Sequence, residues 1–182
     1  LQSPWELLLY TLMGFIAALA AVGFSRLLYF SEDIWNSIRI PEPVKPLLGG
    51  ILLGLLGIVS YQIDGFPRVF GVGYETIENT LFSQLTLQVT FGLLLLKLLA
   101  TTLTLGSGGS GGIFAPSLFM GAMLGASFGQ IAHSLFPEIV APSGAYALVG
   151  MAAFFGGAAH APITAILILF EMTGDYQIIL PL

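Results

Sequence analysis

Seven consecutive glycine and serine residues, Gly106 to Gly112, lie between two strongly apolar segments and are the part of the sequence best suited to hold a ligand. They contain the G-x-G-x-x-G pattern of dinucleotide-binding loops, which needs a preceding strand and an acidic residue about 20 positions further on. The first acid after Gly111 is Glu138, and the helix predicted between them is as apolar as a membrane helix. No Gly-Lys-Ser or Gly-Lys-Thr follows either. The pattern therefore indicates neither a dinucleotide site nor a phosphate loop.

The same segment contains G-x-S-G, which makes Ser110 a candidate nucleophile, and His160 follows on a later apolar segment. This pair resembles the serine–histidine dyad of rhomboid intramembrane proteases. The histidine of that family lies in an A-H-x-x-G pattern, whereas here His160 is followed by Ala161, Pro162 and Ile163. A rhomboid-type intramembrane serine protease using Ser110 and His160 is the alternative interpretation of the chain.

A helix that begins directly after the glycines predicts a different ligand. Pro116 is typical of the first turn of a helix, where a missing N–H costs nothing. The backbone amides just before it then have no helical carbonyl to bond, and together they carry about half a positive charge. Such a helix start binds anions without needing Lys or Arg. The predicted anion-binding residues are Gly111, Gly112, Ile113 and Phe114.

The composition places the chain in a membrane. Of its 182 residues, 56% are hydrophobic and 8% are charged, and the mean hydropathy is +0.93. Soluble domains carry about 25% charged residues. The formal net charge of -5 argues against a nucleic-acid partner. With no cysteine and two histidines, the sequence predicts neither a metal site nor a cofactor, and the lipid bilayer is the expected surrounding.

The apolar residues form five blocks, which predict an all-α, polytopic membrane protein. The blocks lack the alternation of barrel strands. Their unequal lengths, together with Pro162, predict broken and re-entrant helices, since a full span needs about 20 residues. The blocks are Leu7 to Phe30, Leu47 to Tyr61, Leu85 to Leu105, Ile113 to Phe136, and Ala145 to Phe170, the last interrupted at residues 160–162.

Small residues at four-residue spacing predict where helices approach closely. In lipid, hydrophobicity gives helices no reason to associate, and ridges of small residues allow their backbones to come into contact. We expect each ridge to pack against a neighbouring helix. The longest is Gly121, Gly125 and Gly129, and shorter ones are Gly50 with Gly54 and Gly14 with Ala18.

The segment GSGGSGGIFAPSLFMGAMLGASFG, residues 106–129, resembles the G-x-F-x-P anion-binding signature of the CLC chloride channels and chloride/proton exchangers. Three further segments resemble flanking parts of the same family: GVGYETI, KLLATTLTLGSG and GMAAFFGGAAHAPITAILILFEMTGDYQIILPL. The similarity covers essentially the whole sequence, so the chain is identified as a member of the CLC family.

The resemblance implies an all-helical homodimer in which each subunit has its own pore. Two related halves of inverted orientation meet around the anion in such a subunit. Residues 1–182 would be the second half of this transmembrane domain, lacking the first half and the final helix. Ile113 and Phe114 would coordinate the transported chloride through their amides. The implied dimer contacts lie at about residues 7–29 and 163–182.

Three motifs of the family have no counterpart in this sequence: the G-[KR]-E-G-P of the gating glutamate, the G-S-G-I-P of the pore serine, and the inner glutamate of the proton pathway. The sequence is therefore compatible with both a passive channel and an exchanger. Lys97 and Glu171 lie within apolar blocks, where charged side chains are candidate functional groups. The alternatives are snorkelling or pairing for Lys97 and a structural, hydrogen-bonded carboxylate for Glu171.

Overall fold

A computed structural model describes residues 6–173 of the chain. Seven α-helices and no strand occur in this range, which confirms the predicted all-α fold. Connections of six residues or fewer join the helices, apart from longer ones before α3, between α4 and α5, and between α5 and α6. The helices are α1 (Glu6–Ser37), α2 (Val44–Asp64), α3 (Tyr74–Leu81), α4 (Leu87–Gly106), α5 (Phe114–Leu135), α6 (Ser143–Ala159) and α7 (Pro162–Thr173).

Four of the described helices are long and apolar enough to cross a membrane by length and composition: α1, α2, α4 and α5. The 32 residues of α1 correspond to about 48 Å at 1.5 Å per residue, so this helix must tilt within a hydrocarbon layer of about 30 Å. Helices α6 and α7 are apolar but shorter than a full span. The mixture of long and short helices agrees with the predicted broken architecture.

The break predicted at residues 160–162 separates α6 from α7. His160 follows the last residue of α6 in the left-handed conformation, with φ of 53°. The amide of Ala161 donates to the carbonyl oxygen of Gly156 at 3.1 Å, which closes the helix end. Pro162 then begins α7, because a proline without an N–H fits the first position of a helix.

Helices α5 and α6 meet in a close seam, which the glycine ridge of α5 makes possible. A Cβ atom placed on Gly121 would overlap the carbonyl oxygen of Gly150, and one on Gly125 would overlap that of Tyr146. At Gly129 a Cβ would lie 2.9 Å from the Cβ of Tyr146. The longest predicted ridge is therefore confirmed as a helix contact.

The two shorter ridges differ: in the ridge of Gly14 and Ala18, the backbone of Ala18 lies against α6, where a Cβ on Gly157 would come within 3.7 Å of its Cα, whereas the ridge of Gly50 and Gly54 has no such contact. Gly14, Gly50 and Gly54 have open space beside them within the described part of the chain. Helix α2 approaches its neighbours at two other glycines: Gly49 lies against the side chain of Ser107 and Gly57 against the ring of Phe70. Spacing alone does not say which small residues of one helix meet a partner, so the prediction for Gly50 and Gly54 was wrong.

Lys97 holds the connector between α2 and α3 against α4. Its ammonium donates to the carbonyl oxygens of Val69 at 3.0 Å and Gly71 at 2.6 Å. It also lies 4.9 Å from the centre of the Phe119 ring on α5. The side chain is buried, so the connector carbonyls satisfy a charge that would otherwise be stranded in an apolar interior. Lys97 therefore joins three elements: the connector, α4 and α5.

Gly125→Ala should destabilise the fold, because the added methyl group meets backbone, which cannot rotate away. We expect a loss of about 1–3 kcal/mol in the free energy of unfolding, measured by thermal denaturation in detergent. Gly54→Ala is the matched control, since its Cβ enters open space and should stabilise α2 by up to about 1 kcal/mol. Equal melting temperatures for the two variants would contradict the described seam.

Lys97→Met should release the connector, because the carbonyls of Val69 and Gly71 lose their donor. We expect a loss of about 2 kcal/mol in stability and faster tryptic cleavage after Arg68, which lies in that connector. Arg39→Met is the control, because Arg39 is an exposed cation outside the connector and its removal should leave the cleavage rate after Arg68 unchanged. An unchanged cleavage rate in the Lys97 variant would disprove the connection.

Candidate functional site

A cavity of about 460 Å³ lies where the glycine–serine segment turns into α5. The α2–α3 connector, the second half of α4 and the first turn of α5 form its walls. Its polar side chains come from α4 and from the glycine–serine segment itself. The cavity lining includes Lys97, Thr101, Ser110, Gly111, Gly112 and Phe114.

The first part of the glycine–serine segment closes the end of α4. The amide of Gly108 donates to Leu105 at 3.0 Å, and the amide of Gly109 donates to Thr104 at 2.8 Å. Gly108 has φ of 82°, a conformation that other residues rarely adopt. A Cβ on Gly109 would lie 2.7 Å from the carbonyl oxygen of Thr104. The segment is thus a structured helix end whose geometry requires glycine at two positions.

The second part of the segment carries amides without acceptors. Within residues 6–173, no acceptor is found for the backbone N–H groups of residues 111–114. The first helical bond of α5 is from the amide of Ser117 to the carbonyl of Ile113, at 3.0 Å. No side chain caps the helix start. The positive end of the α5 dipole therefore lies beside the cavity with its donors unused.

Three of the four predicted site residues line the cavity, and the fourth adjoins it. Gly111, Gly112 and Phe114 line the cavity, whereas Ile113 precedes the helix and is not part of the cavity wall. The side chains of Ile113 and Phe114 are both 40% exposed in the described structure. Ile113 therefore contributes to this region through its backbone.

Phe114 is held by a second phenylalanine that the sequence did not single out. The rings of Phe114 and Phe155 meet edge to face, with centroids 5.1 Å apart and planes at 81°. Phe155 belongs to α6 and is buried. The α5–α6 seam brings these rings together, so no local sequence pattern could have revealed the pair.

Lys97 lines the cavity, and none of the described residues around the cavity is acidic. Its ammonium is bonded to two carbonyls, as described above, so its role is at least structural. The hydroxyl groups of Thr101 and Thr104 donate to the carbonyls of Lys97 and Ala100 in their own helix, at 2.8 and 2.7 Å. Because the described wall holds Lys97 and no acidic side chain, its fixed charge is positive.

The remaining candidate residues lie elsewhere. Ser110 lines the cavity, whereas His160 is exposed at the end of α6, does not line that cavity, and has no hydrogen bond to Ser110. Glu171 is exposed on α7, and within the described range it has no hydrogen-bond or ion-pair partner. No group of three His, Asp or Glu side chains in residues 6–173 could hold a metal ion.

Comparisons with known proteins agree with the sequence motifs. The family model described as "Voltage gated chloride channel" matches residues 1–182. A protein named "Putative chloride channel protein ClcB-like" from Ralstonia nicotianae is 36% identical over 180 residues, which cover 99% of this chain and 41% of that protein. "H(+)/Cl(-) exchange transporter ClcA" from Vibrio campbellii is 33% identical over 182 residues, covering 100% and 38%.

A plant relative extends the comparison. "Chloride channel protein CLC-e" from Arabidopsis thaliana is 34% identical over 199 residues, covering 100% of this chain and 27% of that protein. The chain thus spans about two fifths of the length of the two bacterial relatives and less of the plant one. Its helices and its family match identify a multi-pass integral membrane protein. Because the family model matches all 182 residues, the chain belongs to the voltage gated chloride channel (CLC) family.

Proposed function

We propose that this chain forms part of a protein that transports chloride across a membrane and that it binds the anion at the start of α5. One observation carries the proposal: a run of backbone amides without acceptors lies beside a cavity whose described wall holds a lysine and no acid. The proposed binding residues are Gly111, Gly112, Ile113 and Phe114, with the amides of Ile113 and Phe114 as the coordinating donors.

Peptide dipoles can bind an ion reversibly, because they carry only partial charges. The start of α5 offers about half a positive charge, and the two glycines allow an ion to approach the backbone closely. Conduction requires binding that is favourable enough for entry and weak enough for exit, which partial charges provide. The Phe114 ring limits the water around the ion, and the field of Lys97 adds attraction without direct contact. Chloride is the transported ligand, and no cofactor is needed.

The names of the relatives support transport by either of two mechanisms. One bacterial relative is named a chloride channel protein and another a proton/chloride exchanger. We propose that residues 1–182 are the second of two related halves of such a protein, in line with the share of each relative that they cover. The gating group would then belong to the other half, and simultaneous measurement of proton and chloride flux distinguishes a channel from an exchanger.

The protease alternative finds no support. Ser110 and His160 are not brought together, and the relatives described above are named as channels or exchangers rather than as enzymes. We therefore propose no second function.

Ile113→Pro should weaken halide binding, because proline removes one of the two proposed coordinating amides while leaving the carbonyl that begins α5. We expect the chloride dissociation constant to rise about tenfold, in line with the loss of one charge-assisted hydrogen bond. Titration calorimetry on the purified protein in detergent measures the constant, and chloride efflux from liposomes measures the consequence for transport.

Ser110→Ala is the matched control for this experiment, because it lies in the same segment and changes no proposed donor. It should leave chloride affinity and efflux at the wild-type level, whereas a serine protease would lose its activity. Wild-type affinity in a folded Ile113→Pro protein would refute the proposed site. Absence of halide-dependent flux in the intact protein would refute the proposed function itself.

We also propose that the protein works as a homodimer through residues 7–29 and 163–182, of which residues 174–182 lie outside the described range. Two apolar faces support this. Helix α1 exposes Leu8, Leu12, Phe15 and Leu19, and α7 exposes Ile163 and Leu167. Exposed apolar side chains also face lipid, so only an experiment assigns either surface to a subunit contact.

Cysteine cross-linking tests the dimer, since the chain has no cysteine of its own. Phe15→Cys and Ile163→Cys should each give a covalent dimer on mild oxidation in liposomes. Ile58→Cys, on the exposed face of α2, is the control and should remain monomeric. A dimer from only one of the first two variants would restrict the contact to that helix, and none from either would exclude both faces.

A further inference from the structure

Glu6 forms a buried polar cluster remote from the cavity, which the sequence analysis did not predict. Its side chain is 0% exposed. Its Oε1 atom accepts hydrogen bonds from the backbone amide of Ala141 at 2.7 Å and from the hydroxyl groups of Tyr10 and Tyr146, both at 3.3 Å. The two tyrosine rings stack with centroids 4.5 Å apart. One carboxylate oxygen therefore joins the start of α1, the α5–α6 connector and the start of α6.

A buried carboxylate is stable only where its donors are in place. The three donors belong to different elements, so the carboxylate fixes those elements relative to one another. Tyr146 lies in the first turn of α6, and Ala141 lies two residues before that helix begins. A displacement of α6 along its axis would break both bonds. The cluster thus sets the lengthwise position of α6.

The lengthwise position of α6 reaches the cavity through Phe155. Phe155 lies nine positions after Tyr146, which corresponds to about 14 Å along one unbroken helix. Between them the backbone of α6 meets α5 at Gly125 and Gly121, where no glycine side chain can adjust to a shift. Phe155 then supports the ring of Phe114 at the cavity.

We propose that Glu6 is a positioning residue for the anion site: by fixing the start of α6 it keeps Phe155 against Phe114 at the start of α5. This inference rests on the proposed function, because it assigns Phe114 to anion binding. Glu6 acts through α6 and does not touch the ion.

A double-mutant cycle in the full protein tests the inference, with chloride dissociation constants from titration calorimetry. Glu6→Gln and Phe155→Leu should each raise the constant about three- to tenfold. The dissociation constant of the double variant should not exceed that of the weaker-binding single variant, because both changes remove the same support. The inference would be overturned if the fold-changes of the two single variants multiplied in the double variant, or if Glu6→Gln had the wild-type dissociation constant. Should Glu6→Gln not fold, Tyr146→Phe removes one donor and keeps the ring.

Glu32→Gln is the matched control, since it removes a carboxylate from the exposed, opposite end of the same helix. It should leave the chloride dissociation constant unchanged, both in the wild-type protein and in the Phe155→Leu variant.

A second measurement does not depend on chloride. In a protein carrying Phe114→Cys and Phe155→Cys, the rate of disulfide formation reports the position of α6 against α5 directly. Adding Glu6→Gln should change this rate about threefold or more, because part of the helix register is lost. An unchanged rate would overturn the inference. A changed rate, combined with absence of chloride binding by the wild-type protein, would refute the proposed function while supporting the positioning role of Glu6.

Discussion

The structure depends on the rule that polar groups in hydrocarbon need partners, because each unsatisfied peptide group there costs several kcal/mol. Within residues 6–173, no buried side-chain nitrogen or oxygen lacks a hydrogen-bond partner. The threonines of α4 bond to their own helix, Lys97 bonds to connector carbonyls, and the glycines after α4 return their amides to its last turn. The backbone amides of residues 111–114 differ from these side-chain groups, because they have no acceptor within residues 6–173 and lie beside a cavity. A ligand in that cavity can accept hydrogen bonds from them.

The cavity combines three weak contributions in place of one strong charge. The start of α5 supplies peptide dipoles, Lys97 supplies a positive charge already engaged by carbonyls, and Phe114 supplies an apolar wall. Each is held by a different neighbour: α4 closes against the glycine segment, the connector binds the ammonium, and α6 presses Phe155 on Phe114. The site therefore depends on the mutual position of four elements, which explains why its supporting contacts lie on residues distant in sequence.

The parts of the fold and of the site that depend on interactions between neighbouring residues could be predicted from the sequence. The proline at residue 162 fixed a helix break, the glycine ridge of α5 required a close neighbour, and the glycine segment followed by a helix start indicated free amides. What escaped prediction depends on tertiary contacts. The ridge at Gly50 and Gly54 has the same spacing as a real contact but faces away from α4, because helix rotation is not encoded in spacing. Glu6 was hidden because its decisive partners, Ala141 and Tyr146, lie more than a hundred residues away.

The seam between α5 and α6 has a consequence for how the chain assembles. Glycine and alanine have no side-chain rotamers to lose, whereas ordering a leucine, isoleucine or methionine side chain costs about 0.5–2 kcal/mol. Where Gly121 and Gly125 meet the backbone of α6, association consequently freezes almost no rotameric freedom. Contacts elsewhere in the bundle order long side chains, such as Met13 on α1 and Leu93 on α4. The glycine contacts of the α5–α6 seam therefore form at a lower entropic cost per contact than those that bury long side chains.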